Sequence, residues 1–118
     1  MKDYEYQYLD INYAMMMLGD SYEIYVDVAK VFCKNAIKQI DAMLDSIKGG
    51  DLEVYGRETH SLKSISLNLG AKKLSELATK QNDAFKREDV DLIMNGYQEL
   101  INLYRMTLNE IKLYAGLN

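Results

Sequence analysis

The chain has 118 residues, 48% of them hydrophobic and none of them proline, which suits one helical domain whose core needs no metal or disulfide. Its net charge of −4 provides no basic face for a phosphate backbone, which argues against nucleic acid as a partner. It has no apolar run long enough to span a membrane, a start unlike a signal peptide and a single cysteine, Cys33, so we expect a cytoplasmic protein.

The N-terminal residues predict a tail followed by a short helix. Residues 1–8 alternate tyrosine with polar side chains, and we expect them to lie against the rest of the domain. Asp10 is a suitable N-cap for a helix that runs through Leu18, where Gly19 ends it. This helix is expected to close one end of the domain.

The second predicted helix is the longest. Asp20 and Glu23 have the spacing of a capping box, in which two side chains satisfy free N–H groups at a helix start. Apolar residues then recur every three or four positions until Gly49 and Gly50 end the helix. The apolar positions are Tyr22, Val26, Ala29, Phe32, Cys33, Ala36, Ile40, Met43, Leu44 and Ile47. This pattern predicts a helix with one buried face.

Three more helices follow, separated by short connections. Asp51 is the expected cap of the third helix, which runs to Leu69, and Gly70 supplies the left-handed residue beyond its end. The fourth helix spans about residues 71–87, and Asp89 marks the start of the last one. Because short connections make neighbouring helices antiparallel, we predict an all-α fold in a single domain over the whole chain. It is an antiparallel up-down four-helix bundle with a short additional N-terminal helix.

The only histidine, His60, falls on the exposed side of the third helix. At 100° per residue the apolar side chains of this helix gather around Leu62, and His60 lies about 160° away from it. Gly56 and Ser64, one turn to either side of His60, are small and leave open space around its ring. Lys63 can reach over the same patch. The arrangement indicates a histidine presented to a partner.

The segment His-Ser-Leu-Lys-Ser-Ile-Ser-Leu-Asn-Leu-Gly, from His60 to Gly70, carries His, Lys and Gly at set spacings. It resembles the signature of the histidine-containing phosphotransfer (HPt) domains of two-component phosphorelays. The likeness continues through residues 71–78, and a weaker one extends over residues 9–32. One position departs from the family pattern: Ser64 stands where the family usually has glycine.

The resemblance implies a phosphorelay intermediate. A neutral imidazole can attack a phosphoryl group held on a partner's aspartate, so His60 would accept the group and pass it to a response regulator. Lys63 would stabilise the phosphoryl oxygens as a point charge. The partners would be the receiver domain of a response regulator or a hybrid sensor histidine kinase. The resemblance places Mg²⁺ on the receiver, so we expect no cofactor in this chain, and we expect a monomer.

Several side chains are candidates for the surface on which a receiver docks. Gly56 and Ser64 would leave room for it, and an exposed leucine beside them would meet an apolar patch. The residues expected to form this docking surface are Gly56, Arg57, Ser64, Leu67 and Lys72. Arg57 and Lys72 can also be read as ordinary surface charge. Gln81, a polar residue in an otherwise apolar position, could orient the ring of His60, or it could simply lie at the boundary of the core.

The residues do not suggest an autonomous kinase or hydrolase site, and whether to call the protein an enzyme stays open. A metal site in a bundle needs several inward histidines or carboxylates, whereas this chain has one histidine. Cys33 and His60 point in opposite directions, which argues against a Cys–His nucleophile pair. The alternative function is a non-catalytic helical module that binds receivers without transferring phosphate, and Ser64 is its best support. A fragment of a larger kinase and a merely solvated histidine are further alternatives.

Overall fold

Five helices form the part of the chain that the computed structural model describes, residues 4–118, and no strand occurs in that range. They are α1, Ile11–Met17; α2, Tyr22–Gly49; α3, Glu53–Asn68; α4, Lys72–Lys86; and α5, Val90–Ala115. α3 and α5 each pack against both α2 and α4, and α1 contacts α2 and α3. The predicted all-α fold, a four-helix bundle with a short additional N-terminal helix, is confirmed. No helix within residues 4–118 is long and apolar enough to cross a membrane.

Polar caps determine where three of the helices begin. Asp10 and Asp89 each accept a hydrogen bond from the backbone N–H three residues further on, as expected for the starts of α1 and α5. The cap of α2 is Ser21, whose hydroxyl oxygen accepts from the N–H of Ile24 at 3.2 Å. Asp20 instead takes a left-handed conformation, with φ of 60°, in the turn before the helix. The predicted capping box is therefore wrong, because the N-cap of α2 is Ser21, one residue after Asp20.

The start of α3 lies one residue later than predicted, because its N-cap position is Leu52. The Asp51 carboxylate still accepts from the N–H of Glu53, the first residue of α3, at 3.2 Å. Ser46 on α2 also holds this start. Its hydroxyl donates to the carbonyl oxygen of Asp51 at 2.5 Å and accepts from the N–H of Tyr55 at 3.0 Å. A side chain from the preceding helix thus anchors the start of the helix that bears His60.

Three fully buried tyrosines, Tyr25, Tyr55 and Tyr104, tie the helices together across the core. The hydroxyl of Tyr25 donates to the carbonyl oxygen of Leu69 at 3.0 Å. The hydroxyls of Tyr55 and Tyr104 each donate to a glutamine side chain on another helix at 2.5 Å. Burial is the largest cause that raises the pKa of all three phenols. Each of these three buried phenol hydroxyls therefore has a hydrogen-bond partner.

The turn between α3 and α4 is where α1 docks. Gly70 has φ of +82°, as predicted, and a Cβ atom there would come within 2.5 Å of the carbonyl oxygen of Asp10. The N–H of Asp10 donates to the carbonyl oxygen of Gly70 at 2.8 Å. Lys72 Nζ lies 3.0 Å from a carboxylate oxygen of Asp10 and 4.4 Å from the centre of the Tyr13 ring. These contacts fasten the N-terminal helix to the end of α3.

The residues before α1 lie along the C-terminal half of α5. The Tyr4 hydroxyl and the N–H groups of Gln7 and Tyr8 all donate to the carboxylate of Glu110, at 2.7, 2.9 and 2.7 Å. Glu110 is only 4% exposed. Residues 4–8 of the predicted tail thus lie against the bundle, whereas residues 1–3 fall outside the described part of the chain.

Candidate functional site

His60 projects from α3 into solvent. The opposite side of α3 is buried, as its periodicity predicts, through Tyr55, Thr59, Leu62 and Ser66. The ring of His60 makes no hydrogen bond to any side chain in residues 4–118. The imidazole is therefore accessible to a partner on the outer face of the bundle.

A shallow depression of about 290 Å³ adjoins the ring of His60 between α3 and α4. The lining residues from α3 are Glu53, Gly56 and Arg57, and those from α4 are Asn82, Phe85 and Lys86. Arg57 and Lys86 are exposed, so two cationic side chains border the space in front of the imidazole. Neither forms an ion pair within the described residues.

Lys63, the cation expected beside the ring, is half-buried one turn beyond His60 and does not line this depression. Its backbone carbonyl accepts a hydrogen bond from the Ser75 hydroxyl at 2.7 Å, which ties this turn of α3 to α4. Its ammonium group makes no ion pair with the described part of the chain, so it remains available for an anion on His60.

Gly56 does not provide open space for a docking partner, so this part of the prediction is wrong. Gly56 is buried, and a Cβ atom at this position would overlap the ring of Phe85 on α4. The missing side chain lets α4 approach α3 closely just before His60. Helical phase placed Gly56 near the exposed face, but it could not show that the neighbouring helix fills the space.

Gln81 does not orient His60, and this prediction is also wrong. Its side-chain oxygen accepts from the Tyr55 hydroxyl, and its amide nitrogen donates to the carbonyl oxygen of Leu92 at 3.1 Å. Both groups are used to connect α3, α4 and α5 inside the bundle. Gln81 is 4% exposed and belongs to the core.

Asn82, the next residue, is the polar α4 side chain that sequence reasoning missed. Its amide nitrogen donates to the carbonyl oxygen of Gly56 at 2.8 Å and to the Thr59 hydroxyl at 3.1 Å. Its side-chain oxygen is buried without a partner in residues 4–118. The tight turn at Gly70 sets the register of α4 against α3, and that register could have indicated which α4 residues face His60.

Lys72 follows the turn at the end of α3, about 12 Å along the helix axis from His60. This position favours its alternative interpretation as ordinary surface charge over a place on the docking surface. There it pairs with Asp10 and covers the ring of Tyr13. The structure therefore gives Lys72 a part in holding α1, whereas Ser64 is exposed and Leu67 half-exposed on the His60 side of the helix.

A model of the Hpt domain family matches residues 27–110, which is well over half of the chain. The chain belongs to the Hpt domain family. Hpt domains are histidine phosphotransfer modules of phosphorelays, and they interact with receiver domains. The match includes all of α3 and α4, and hence the whole His60 site. No curated protein and no solved structure matches the chain significantly.

This Hpt domain also carries a larger groove of about 910 Å³ between α2 and α3. Its apolar wall includes Val28, Val31 and Ile65, and Ser61, the residue after His60, lies at its edge. Val31 is 60% exposed although it is a large aliphatic side chain. The groove thus places an open apolar surface beside the accessible imidazole, which the sequence patterns did not reveal.

Among residues 4–118, no group of three or more histidine, cysteine, aspartate or glutamate side chains is arranged to hold a metal ion. Cys33 is a free, half-buried cysteine on α2, and burial raises the pKa of its thiol. It does not line the depression beside His60 or the α2–α3 groove.

Proposed function

We propose that His60 accepts a phosphoryl group from the aspartate of a receiver domain, or from a sensor kinase, and passes it to a response regulator. The observation that carries the proposal is the exposed imidazole of the only histidine, which makes no hydrogen bond within residues 4–118 and lies within the family match. Cationic side chains border this ring, and an apolar groove lies next to it. A phosphorelay intermediate needs these features and little more, because phosphoryl transfer depends mainly on positioning and charge stabilisation.

The chemistry requires one free nitrogen on a neutral ring. The lone pair of that nitrogen forms the new P–N bond while the bond between phosphorus and the aspartyl oxygen breaks. The aspartate leaves with the electron pair as a carboxylate, and the second ring nitrogen carries the proton, which solvent can take. In the onward step the second ring nitrogen regains a proton from solvent and a second receiver's aspartate attacks phosphorus. The P–N bond then breaks, and neutral imidazole leaves with its electron pair.

Cationic side chains around the ring would stabilise the transferred group. Lys63 is half-buried one turn away and Arg57 and Lys86 border the depression in front of the ring. A phosphoryl group on His60 brings negative charge to this space, and ammonium or guanidinium groups within reach form charge-assisted hydrogen bonds with it. We assign the main role to Lys63 and a supporting role to Arg57 and Lys86.

The receiver would dock over the outer face of α3, with Arg57, Ser64 and Leu67 in contact. The groove between α2 and α3 would receive an apolar part of its surface, since Val31 and Ile65 are accessible there. The Mg²⁺ and the acidic residues would be the receiver's. We expect the exchange to take place in the cytoplasm and the Hpt domain to act as a monomer.

A non-catalytic module that binds receivers without phosphotransfer is the second candidate. It is favoured by Ser64, which adds a side chain at the position where the family usually has none. This serine is exposed one turn from His60, where extra bulk would hold a receiver's active site away from the ring. In this case the receiver binds but no phosphate reaches the chain.

The test is transfer from a panel of the host's receiver domains charged with labelled phosphate. The proposal expects an acid-labile, base-stable label on the Hpt domain from at least one receiver. His60→Gln should abolish the label and leave the melting temperature unchanged, because the residue is exposed. Asn102→Ala is the control, since Asn102 is exposed on α5 and lines neither the depression nor the groove. Receiver binding without label would favour the second candidate, and a label that survives His60→Gln would remove His60 from the mechanism.

A further inference from the structure

The Ser64 hydroxyl, like that of Ser61, makes no hydrogen bond within residues 4–118, whereas two other hydroxyls of α3 do. The Thr59 hydroxyl donates to the carbonyl oxygen of Gly56 at 3.1 Å, and the Ser66 hydroxyl donates to that of Leu62 at 2.6 Å. Such bonds to the preceding turn are the usual fate of a helical serine or threonine. Ser64 makes no side-chain hydrogen bond within the described chain and is exposed. Its donor is therefore available to a group that arrives from outside.

Ser64 lies one turn beyond His60 on the same helix. The two residues are four apart on α3, so they are neighbours on one face, with Cβ atoms about 5–6 Å apart. Helical side chains lean towards the N-terminus of their helix, so the Ser64 side chain leans towards the turn that carries His60. A phosphoryl group on the ring extends beyond the nitrogen that carries it and has several acceptor oxygens.

We propose that the Ser64 hydroxyl donates a hydrogen bond to a phosphoryl oxygen of phosphorylated His60. This inference rests on the proposed function and adds a phosphate-binding residue to the same site. The hydrogen bond exists only when His60 carries the phosphoryl group, so it stabilises the phosphorylated Hpt domain relative to the free one. The serine found in the family's glycine position then retains phosphate on the histidine.

An equilibrium measurement separates this role from a role in docking. A side chain that only hinders or helps the approach of the receiver changes the forward and reverse rates by the same factor. The equilibrium constant for phosphate exchange between receiver and Hpt domain then stays the same. A side chain that binds the phosphoryl group stabilises one end state and changes the equilibrium constant itself.

In the exchange the phosphorus–oxygen bond to the receiver's aspartate breaks as the phosphorus–nitrogen bond to His60 forms. In the reverse step the phosphorus–nitrogen bond breaks and the phosphorus–oxygen bond forms again. The experiment mixes the Hpt domain with a charged receiver that labels it and measures how the label divides at equilibrium. Ser64→Ala should lower the equilibrium constant for phosphate transfer from the receiver to His60 by about threefold to tenfold. This is the effect of losing one hydrogen bond to a charged group when water partly replaces it. Asn102→Ala, the control, should leave the constant unchanged, because Asn102 is exposed on α5 and lines neither the depression nor the groove.

Ser64→Gly provides a second variant, because it also lacks the hydroxyl but removes the bulk of the side chain. We expect the same drop in the exchange constant as for Ser64→Ala, whatever happens to the rates. A constant that stays at the wild-type value in both variants overturns the inference. Thermal melts show whether the variants are folded, and Ser64→Ala should melt with the wild type, because the side chain is exposed and has no partner within residues 4–118.

The two proposals fail in different ways. If no receiver labels the wild-type chain, the proposed function is wrong and the role of Ser64 falls with it. If the chain is labelled on His60 and the exchange constant does not depend on Ser64, only the further inference is wrong. In that case the serine acts on docking or not at all, and the rates of transfer to Ser64→Gly show which.

Discussion

The polar residues at the N-terminal end of the bundle are paired, whereas those around His60 are not. At the N-terminal end, Glu110 accepts three hydrogen bonds and Lys72 pairs with Asp10. Around His60, the imidazole, the Ser64 hydroxyl and three cationic side chains have no such partner in the described residues. Paired groups hold the fold together, and groups left unpaired on one face are available to a partner.

The buried phenols, which are all paired, should make the stability of the fold depend on alkaline pH. Burial raises the pKa values of Tyr25, Tyr55 and Tyr104 above the ordinary value near 10. The unfolded chain therefore loses these three protons above pH 10 while the folded chain keeps them. The stabilisation that these three phenols contribute is fully present below pH 10. Above pH 10 they should lower the free energy of unfolding by about 4 kcal/mol per pH unit. Urea unfolding from pH 8 to pH 11 measures the slope.

Replacement of one buried phenol sharpens this prediction. Tyr25→Phe removes one titrating group, so the slope above pH 10 should become smaller by about 1.4 kcal/mol per pH unit. Tyr13→Phe is the control, because Tyr13 is only half-buried. A slope that is equal in the variant and the wild type would show that other groups cause the alkaline loss.

The carboxylate of Glu110 should matter for the fold and not for phosphate transfer. Glu110→Ala leaves the N–H groups of Gln7 and Tyr8 and the Tyr4 hydroxyl without their acceptor. Unpaired donors in a part-buried site should lower the free energy of unfolding by about 2–3 kcal/mol. Glu99→Ala, on an exposed position of the same helix, should cost less than about 0.5 kcal/mol. Urea unfolding of both variants measures the two costs, and equal effects would show that the hydrogen bonds to Glu110 do not stabilise the fold.

Two lysines, one near His60 and one paired with Asp10, test whether the unpaired charges around His60 act in phosphate transfer. Lys63→Ala should shorten the lifetime of the phosphate on His60 or slow its transfer by about tenfold, because it removes a charge-assisted contact with the phosphoryl group. Lys72→Ala removes the same charge at a paired site about 12 Å away, and it should leave transfer unchanged. Time courses of label gain and loss measure both. If the two variants behave alike, net charge and not position determines the effect.

The smallest expected effect concerns the two small residues one turn from His60. Gly56→Ala pushes a methyl group into the Phe85 ring, and this strain outweighs the gain in helix propensity by about 1 kcal/mol. Ser64→Ala should change the free energy of unfolding by less than that. Thermal melts of the two variants compare them directly. A Gly56→Ala chain as stable as the wild type would mean that α4 can move away from α3 at no cost.

The helices could be predicted from the sequence because each depends on local patterns. The spacing of apolar residues and the caps at Asp10 and Asp89 are features of a few neighbouring positions. The same phase argument placed His60 on the outer face of α3, where the structure has it.

The contacts between helices could not be predicted in the same way. Gly56 lies near the exposed face by phase, but Phe85 covers it from α4. Gln81 and Asn82 are adjacent polar residues, and only the packing of three helices shows that Gln81 joins the core network while Asn82 lines the depression at His60. A pattern along one helix carries no information on the register of the next.

The central claim is that His60 carries phosphate. The most direct measurement is to label the wild-type chain from a charged receiver and to locate the phosphate by mass spectrometry at neutral or basic pH, where phosphohistidine survives. The account predicts that the phosphate is on residue 60. Phosphate on a serine, tyrosine or aspartate of this chain, or no phosphate from any receiver that binds it, would contradict the account.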